Sequence, residues 1–368
     1  MGEFLTPTWQ ESLPHVTLLE PGAERPVRVI TVPKTLKTPR IIAIEPACMQ
    51  YAQQAVMESL IRNLNECDIS KRFVGFDDQE PNQHLAKIGS QFGDLATLDL
   101  SEASDRVSNQ LVRDLVATMP NVRRAFDATR SRKADVPGYG VQRLAKFASM
   151  GSALCFPVEA MVFTTIIFIG IQEELRRPLT VSDIKSYTGK VRIYGDDIIV
   201  PVDFVESVVS QLEAFGFRVN AGKSFWTGKF RESCGKDYYD GHDVTVIKTR
   251  QMIPTQRKHV EGVVSTVSLR NQLYKRGLWR TVRHLDNLLE KLIPFPAVGE
   301  YSPVLGKHNF CPIVGQRESL ELQKPLVKGF VVKARLPISR LNGLGALLKF
   351  FLKRGDEPSA DRNHLERA

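Results

Sequence analysis

The sequence predicts a mixed α+β fold in which a small antiparallel sheet is flanked by helices. Three observations carry that expectation. A short apolar strand, Ala96 to Leu100, is interrupted by a single acid, Asp99. Two apolar runs between Val191 and Val202 flank Gly195-Asp196-Asp197, as the arms of a tight hairpin would. Ala153 to Gln172 reads ALCFPVEAMVFTTIIFIGIQ, apolar enough to mimic a membrane span. Pro157 and Glu159 break its first half, which favours a buried helix and no membrane insertion.

The other elements follow in chain order. Residues 1–26, rich in Pro and Glu, read as an extended lead-in, and Val27 to Ile44 as strand, basic turn, strand. Pro46 to Asn65 has helical periodicity, and so does Asn109 to Met119, which Pro120 should stop. Asn121 to Lys146 reads as a basic, loop-rich stretch. Phe204 to Phe215 is again helical, Phe217 to Lys248 gives short strands with Gly turns, and residues 256–292 look helical and basic. Residues 320–354 are mixed, and the charged end is expected to fray.

A chain of 368 residues suits a multi-lobed domain or two to three packed subdomains. Its 42% hydrophobic content excludes a disordered chain. Fifty basic against forty-one acidic residues give a net charge of +9, which favours a polyanionic partner without demanding one. The five cysteines, Cys48, Cys67, Cys155, Cys234 and Cys311, show no zinc-finger spacing and suit a reducing compartment. The opening MGEFLTPTWQ lacks the basic-then-apolar pattern of a signal peptide.

Adjacent acids at a hairpin tip repel each other unless a cation sits between them. Two Mg²⁺ ions roughly 3.5–4 Å apart would do so, and could stabilise the attacking and leaving oxygens of phosphoryl transfer. Such chemistry needs carboxylates from two separate strands, which Asp99 and Asp196 supply. An Asp-Asp turn alone is not diagnostic, and Asp77-Asp78 has no chemistry assigned to it.

In order along the chain, five segments resemble motifs of the replicases of positive-strand RNA bacteriophages, the leviviruses, within the right-handed polymerases. VRVITVPKTLKTPRIIAIEP, Val27 to Pro46, is similar to the basic fingertip motif F. LDLSEASDRVS, Leu98 to Ser108, resembles motif A, and SMGSALCFPVEAMVF, Ser149 to Phe163, motif B. YGDDIIVP, Tyr194 to Pro201, resembles motif C, and NAGKSFWTGKFRESCGKDYY, Asn220 to Tyr239, motifs D and E. Motif B begins Gly151-Ser152-Ala153 where the family has Gly-Asn-Gly, and motif F lies closer to the N-terminus than in those replicases, which suits an N-terminally shortened chain, a divergent compact replicase or a relative from a neighbouring RNA-virus lineage.

The resemblance implies an α+β right hand of palm, fingers and thumb. Residues 1–93 would be fingers with the basic fingertip, 94–118 palm, 119–148 a fingers insertion, 149–250 palm again, 251–354 a thumb-like helical region and 355–368 a frayed tail. The implied activity is RNA-dependent RNA synthesis from NTPs by two-metal nucleotidyl transfer, with Mn²⁺ able to replace Mg²⁺. Asp99, Asp196 and Asp197 would hold the metals. Lys223 would be a general acid for pyrophosphate, or a surface lysine at a turn.

Lys34, Arg40 and Arg28 would meet the triphosphate, with Lys37 facing solvent. Ser104 and Asp105 would meet the ribose 2′-OH, or serve, with Ser108, the start of the following helix. Gly151 and Ser152 would meet a nucleotide or template backbone, or cap a helix. Arg231 and Lys236 would support RNA. Template and product RNA, NTPs and host translation factors are the implied partners, in the cytoplasm of a host cell. The rivals are a catalytically silent RNA-binding or assembly protein and a reverse transcriptase. The second rival should carry a bulky aromatic after the first metal Asp, where this chain has Leu100-Ser101-Glu102-Ala103-Ser104-Asp105.

Overall fold

The computed structural model describes residues 19–20, 22–33, 39–310, 317–321 and 323–333. Most of the lead-in, Lys34, Lys37, Cys311 and the C-terminal tail lie outside the described residues. The chain divides into two compact units, Met1–Val246 and Ile247–Ala368.

In the first unit, β1 (Val27–Pro33) and β2 (Pro39–Ile44) form the expected antiparallel hairpin. The Ala47–Glu66 helix follows, then a helix that periodicity did not announce, Glu80–Phe92. That helix buries Asn82, Ala86, Gly89 and Ser90, a small and polar face that gives no apolar stripe to read. β3 (Leu95–Leu98) is buried throughout and ends one residue before Asp99.

The stretch after Asn109 is more ordered than its composition suggests. The Asn109–Leu115 helix is capped by Ser108, whose hydroxyl accepts from Leu111 N–H at 3.1 Å. Pro120 opens a further helix, Pro120–Thr129, because proline at a first helical position surrenders only an N–H that has no partner there. β4 (Lys133–Val136) and β5 (Gly140–Arg143) then form a hairpin, and β4 adds parallel to β1 to give a sheet ordered β2-β1-β4-β5. The expected loop-rich stretch is thus a helix and a hairpin.

The Cys155–Leu175 helix is long and apolar enough to pass for a membrane span by composition. Val158, Val162, Phe163, Ile166, Ile167 and Ile171 are all buried in the unit's main core, together with Val208 and Leu212 of the Val205–Ala214 helix. This is the packing of a core helix. β6 (Arg192–Tyr194) and β7 (Asp197–Pro201) are the expected hairpin. β7 pairs antiparallel with β3, from Leu95 opposite Pro201 to Leu98 opposite Ile198, giving a sheet ordered β3-β7-β6. β8 (Phe230–Ser233), β9 (Lys236–Tyr239) and β10 (His242–Asp243) make a second antiparallel sheet.

The second unit packs the Val260–Lys275 and Trp279–Glu290 helices around Val263, Val267, Leu289, Ile293 and Phe295. Arg270, almost fully buried, grips Asp286 in bidentate fashion at 2.7 and 3.1 Å.

Candidate active site

The strand register decides the site. Leu98 faces Ile198, so Asp99, which follows Leu98, and Asp197, which precedes Ile198, emerge at the same end of adjacent strands. Tyr194 pairs with Asp197 across a two-residue turn, and Asp196 sits at its tip. Gly195 takes φ +60°, the left-handed conformation that tight hairpin turns require. A Cβ there would come within 2.6 Å of the Phe156 ring, so glycine also lets the turn settle on the Cys155–Leu175 helix. Phe156 meets the Tyr194 ring edge-on, with centroids 5.1 Å apart.

Each acid is held differently. Asp99 Oδ2 accepts from Asn220 Nδ2 at 3.0 Å, and Lys223 Nζ stands 3.8 Å from the same oxygen. Ser224 Oγ accepts from Asp99 N–H at 3.0 Å. Asp197 Oδ1 accepts from Cys234 N–H at 3.0 Å and from the Ser233 hydroxyl at 3.4 Å. Burial pushes the Asp197 carboxyl up to about 6 against the pull of the Cys234 N–H, and the charges of Asp196 and Asp99 push the same way.

Glu159, in the buried face of the apolar helix, is raised to about 8 by burial and by Asp196. It belongs to the same electrostatic cluster, although in the sequence it stands out only as a charge that breaks an apolar run. The Cys155 thiol is raised to about 12 by burial and the nearby Glu159 charge.

Charges that raise the proton affinity of Asp197 and Glu159 are what a divalent cation would relieve, and carboxylate oxygens are the donors Mg²⁺ prefers. The donor set therefore fits such an ion in chemistry. Among the described residues, no group of three or more His, Cys, Asp or Glu already stands close enough together to hold a metal. The three acids converge without closing into a cage.

The remaining candidates scatter. Arg28 and Arg40 lie exposed on β1 and β2. Asp105 is exposed and accepts from Lys146 Nζ at 2.6 Å. Ser104 is buried, with its hydroxyl bonded to the Cys155 thiol. Gly151 takes φ +127° against β2, where a Cβ would collide with the Ala43 carbonyl at 2.1 Å. The Ser152 hydroxyl donates to the buried Gln53 at 2.9 Å, which ties it into the packing.

Lys236 pairs with Asp243 at 3.2 Å, with the lysine exposed enough to reach other partners. Arg231 is a correction. It is fully buried, and its guanidinium donates to the carbonyls of Leu95, Gly228 and Phe230, which takes it away from RNA.

Residues 23–283 match the family model described as RNA replicase, beta-chain. The chain belongs to that family. As a replicase beta-chain relative it is 33% identical over 272 residues to the RNA-directed RNA polymerase subunit beta of Escherichia virus Qbeta, covering 73% of this chain and 42% of that protein. It is 38% identical over 218 residues to the RNA-directed RNA polymerase beta chain of Enterobacteria phage fr, covering 59% and 36%. The beta chain of Escherichia phage MS2 is 36% identical over 217 residues, with the same coverage. This replicase-family chain thus spans less than half the length of the curated relatives it matches. Its sheet β3-β7-β6, flanked by helices and edged with acids, belongs to a mixed α+β fold.

Proposed function

We propose that this chain is the catalytic core of an RNA-dependent RNA polymerase that copies an RNA template from NTPs for a positive-strand RNA phage. The observation that carries the reading is the convergence of Asp99 with Asp196 and Asp197 at one end of paired strands. Asp99, Asp196 and Asp197 would hold two Mg²⁺ ions, with Mn²⁺ as a substitute. Bound there, the ions would supply charge at the 3′-oxygen, the α-phosphate and the leaving pyrophosphate.

The chain's own groups would do the rest. Lys223, whose Nζ stands 3.8 Å from Asp99, would give a proton to departing pyrophosphate. Arg28 and Arg40, with Lys34, would meet the triphosphate, and Lys236 the RNA strand. Asp105 is the accessible partner for a ribose 2′-OH, while Ser104 would act only from beneath. Gly151 and Ser152 would shape the backbone that meets the template rather than donate to it.

Fingers, palm and thumb would take the residue ranges given above. RNA template, product and NTPs are the proposed partners in the host cytoplasm, with host translation factors as further ones.

The test is incorporation of labelled NTPs on a primed RNA template with Mg²⁺, beside an Asp196→Ala variant. Incorporation lost in the variant supports the reading, and incorporation kept by both sinks the metal assignment. Preference for dNTPs would point to a reverse transcriptase. RNA binding that persists in EDTA without any incorporation would favour a silent RNA-binding relative.

A further inference from the structure

The Glu80–Phe92 helix lies outside every motif described above, yet two consecutive side chains at its start reach the catalytic hairpins. Asn82, fully buried, directs Nδ2 at the Asp197 carbonyl, 3.4 Å away. Gln83 Nε2 donates to the Cys234 carbonyl at 3.1 Å. Farther along, Ser90 Oγ accepts from Gly241 N–H at 2.9 Å, so the helix also holds the turn after β9.

Cys234 and Gly235 form the two-residue connection between β8 and β9, closed by Ser233 opposite Lys236. Both take positive φ, +48° and +72°. This is the geometry of the mirror-image turns that hairpins favour, for which Asn-Gly is a preferred sequence. Gly235 adopts it freely, but Cys234 does so against its Cβ, and a residue in that state persists only where its surroundings hold it. Here its carbonyl is fastened by Gln83, and its N–H is spent on Asp197 Oδ1.

With Ser233 adding a second donor to the same oxygen, the plane of the Asp197 carboxylate is fixed, and with it the direction of Oδ2. One helical turn therefore grips both the backbone of Asp197 and the strained loop that aims its side chain.

On the polymerase reading above, we propose that Gln83 is a positioning residue for the Asp197 carboxylate and hence for the divalent cation it would hold. Gln83 acts through the Cys234 turn and touches neither substrate nor metal. Partners one step removed from a metal ligand are typically worth 10–100-fold in affinity or activity.

The experiment compares the wild-type chain with Gln83→Leu, which keeps the bulk and loses the donor, and with Gln83→Leu/Cys234→Asn. The second substitution installs Asn-Gly, which forms the same turn unaided. Mn²⁺ binding is read by electron paramagnetic resonance, and primed RNA synthesis as a function of Mg²⁺ and NTP. Gln83→Leu is expected to weaken Mn²⁺ binding, raise the half-saturating Mg²⁺ and lower kcat, each by about 10-fold, with an unchanged KM for NTP. The double variant is expected to recover most of that loss, which general damage to the fold would not allow.

Unchanged Mn²⁺ affinity in Gln83→Leu overturns the proposal, and so does a loss that Cys234→Asn fails to repair. If the wild-type chain makes no RNA, the polymerase reading fails on its own account and the Mn²⁺ affinities still decide. Weakening followed by recovery then supports the positioning role, whereas equal affinities, or no Mn²⁺ bound by the wild-type chain, overturn it.

Discussion

The two ends of β3 bury charge in opposite ways. At its beginning, the Leu95 carbonyl accepts from Arg231, whose guanidinium also serves Gly228 and Phe230 and is wholly removed from solvent. At its far end, Asp99 emerges beside Asp197 and Asp196, and burial with like-charged neighbours works against ionisation of Asp197. One end has its charge matched by several acceptors. The other keeps a repulsion that folding alone has no reason to retain. A buried charge met by several acceptors marks a structural role, and a buried carboxyl held beside like charges marks a candidate functional site.

The sharpest way to break this contrast is to remove one charge from each end. Asp196→Ala should cut RNA synthesis by about a thousandfold. Its thermal stability in EDTA should hold or rise, because a repulsion is relieved. A melting temperature that falls with activity would show Asp196 to be structural after all.

Arg231→Leu should do the reverse, leaving several carbonyls without donors and lowering stability by about 3 kcal/mol. Measured by urea unfolding, a loss near zero would mean that the Arg231 contacts are dispensable. RNA affinity measured on whatever remains folded should be unchanged.

The same contrast explains what the sequence disclosed. Asp99 and Asp196-Asp197 were legible because acids interrupt apolar strands, and the hairpin turn announces itself through Gly195. Arg231 was misread because a basic residue in a short hairpin looks the same whether it faces solvent or carbonyls. The Glu80–Phe92 helix escaped notice because its buried side is Asn82, Ala86, Gly89 and Ser90. Pro120 reads as a stop after the Asn109 helix, yet it serves as the start of the next one. Apolar periodicity reports the main core well. It is silent on small, polar contacts between elements, such as those of Asn82 and Gln83 with the Asp197 and Cys234 carbonyls.

A milder probe is pH. The folded-state value of Asp197, about 6, lies above the ordinary carboxylate value, so the folded chain holds this proton more tightly than the unfolded one. Stability from this group is therefore present at low pH and lost as pH rises from about 4 through about 6, on the order of 2 kcal/mol. Glu159 has the same sign and extends the loss toward about 8. In EDTA, Asp197→Asn should melt higher than the wild-type chain at pH of about 7, with little difference at about 4. Parallel curves at both pH values would mean that Asp197 is ionised without penalty, and the far end of β3 would then be no less matched than the beginning.

The smallest expected stability effect separates the cluster from the surface next to it. Asp105 lies a short turn beyond Asp99, but its partner is the exposed pairing with Lys146. Exposed pairs contribute little, so Asp105→Asn should change stability by under about 1 kcal/mol. Its effect on selection should be larger. If Asp105 meets the ribose 2′-OH, an amide in its place weakens the recognition of that hydroxyl, and the ratio of NTP to dNTP incorporation should fall several-fold while the Mg²⁺ dependence stays fixed. An unchanged ratio would remove Asp105 from the nucleotide contacts and leave it as half of a surface ion pair. A shifted Mg²⁺ dependence would instead draw it into the cluster, and the boundary between the clustered acids and the ordinary surface would have to move outward by that one turn.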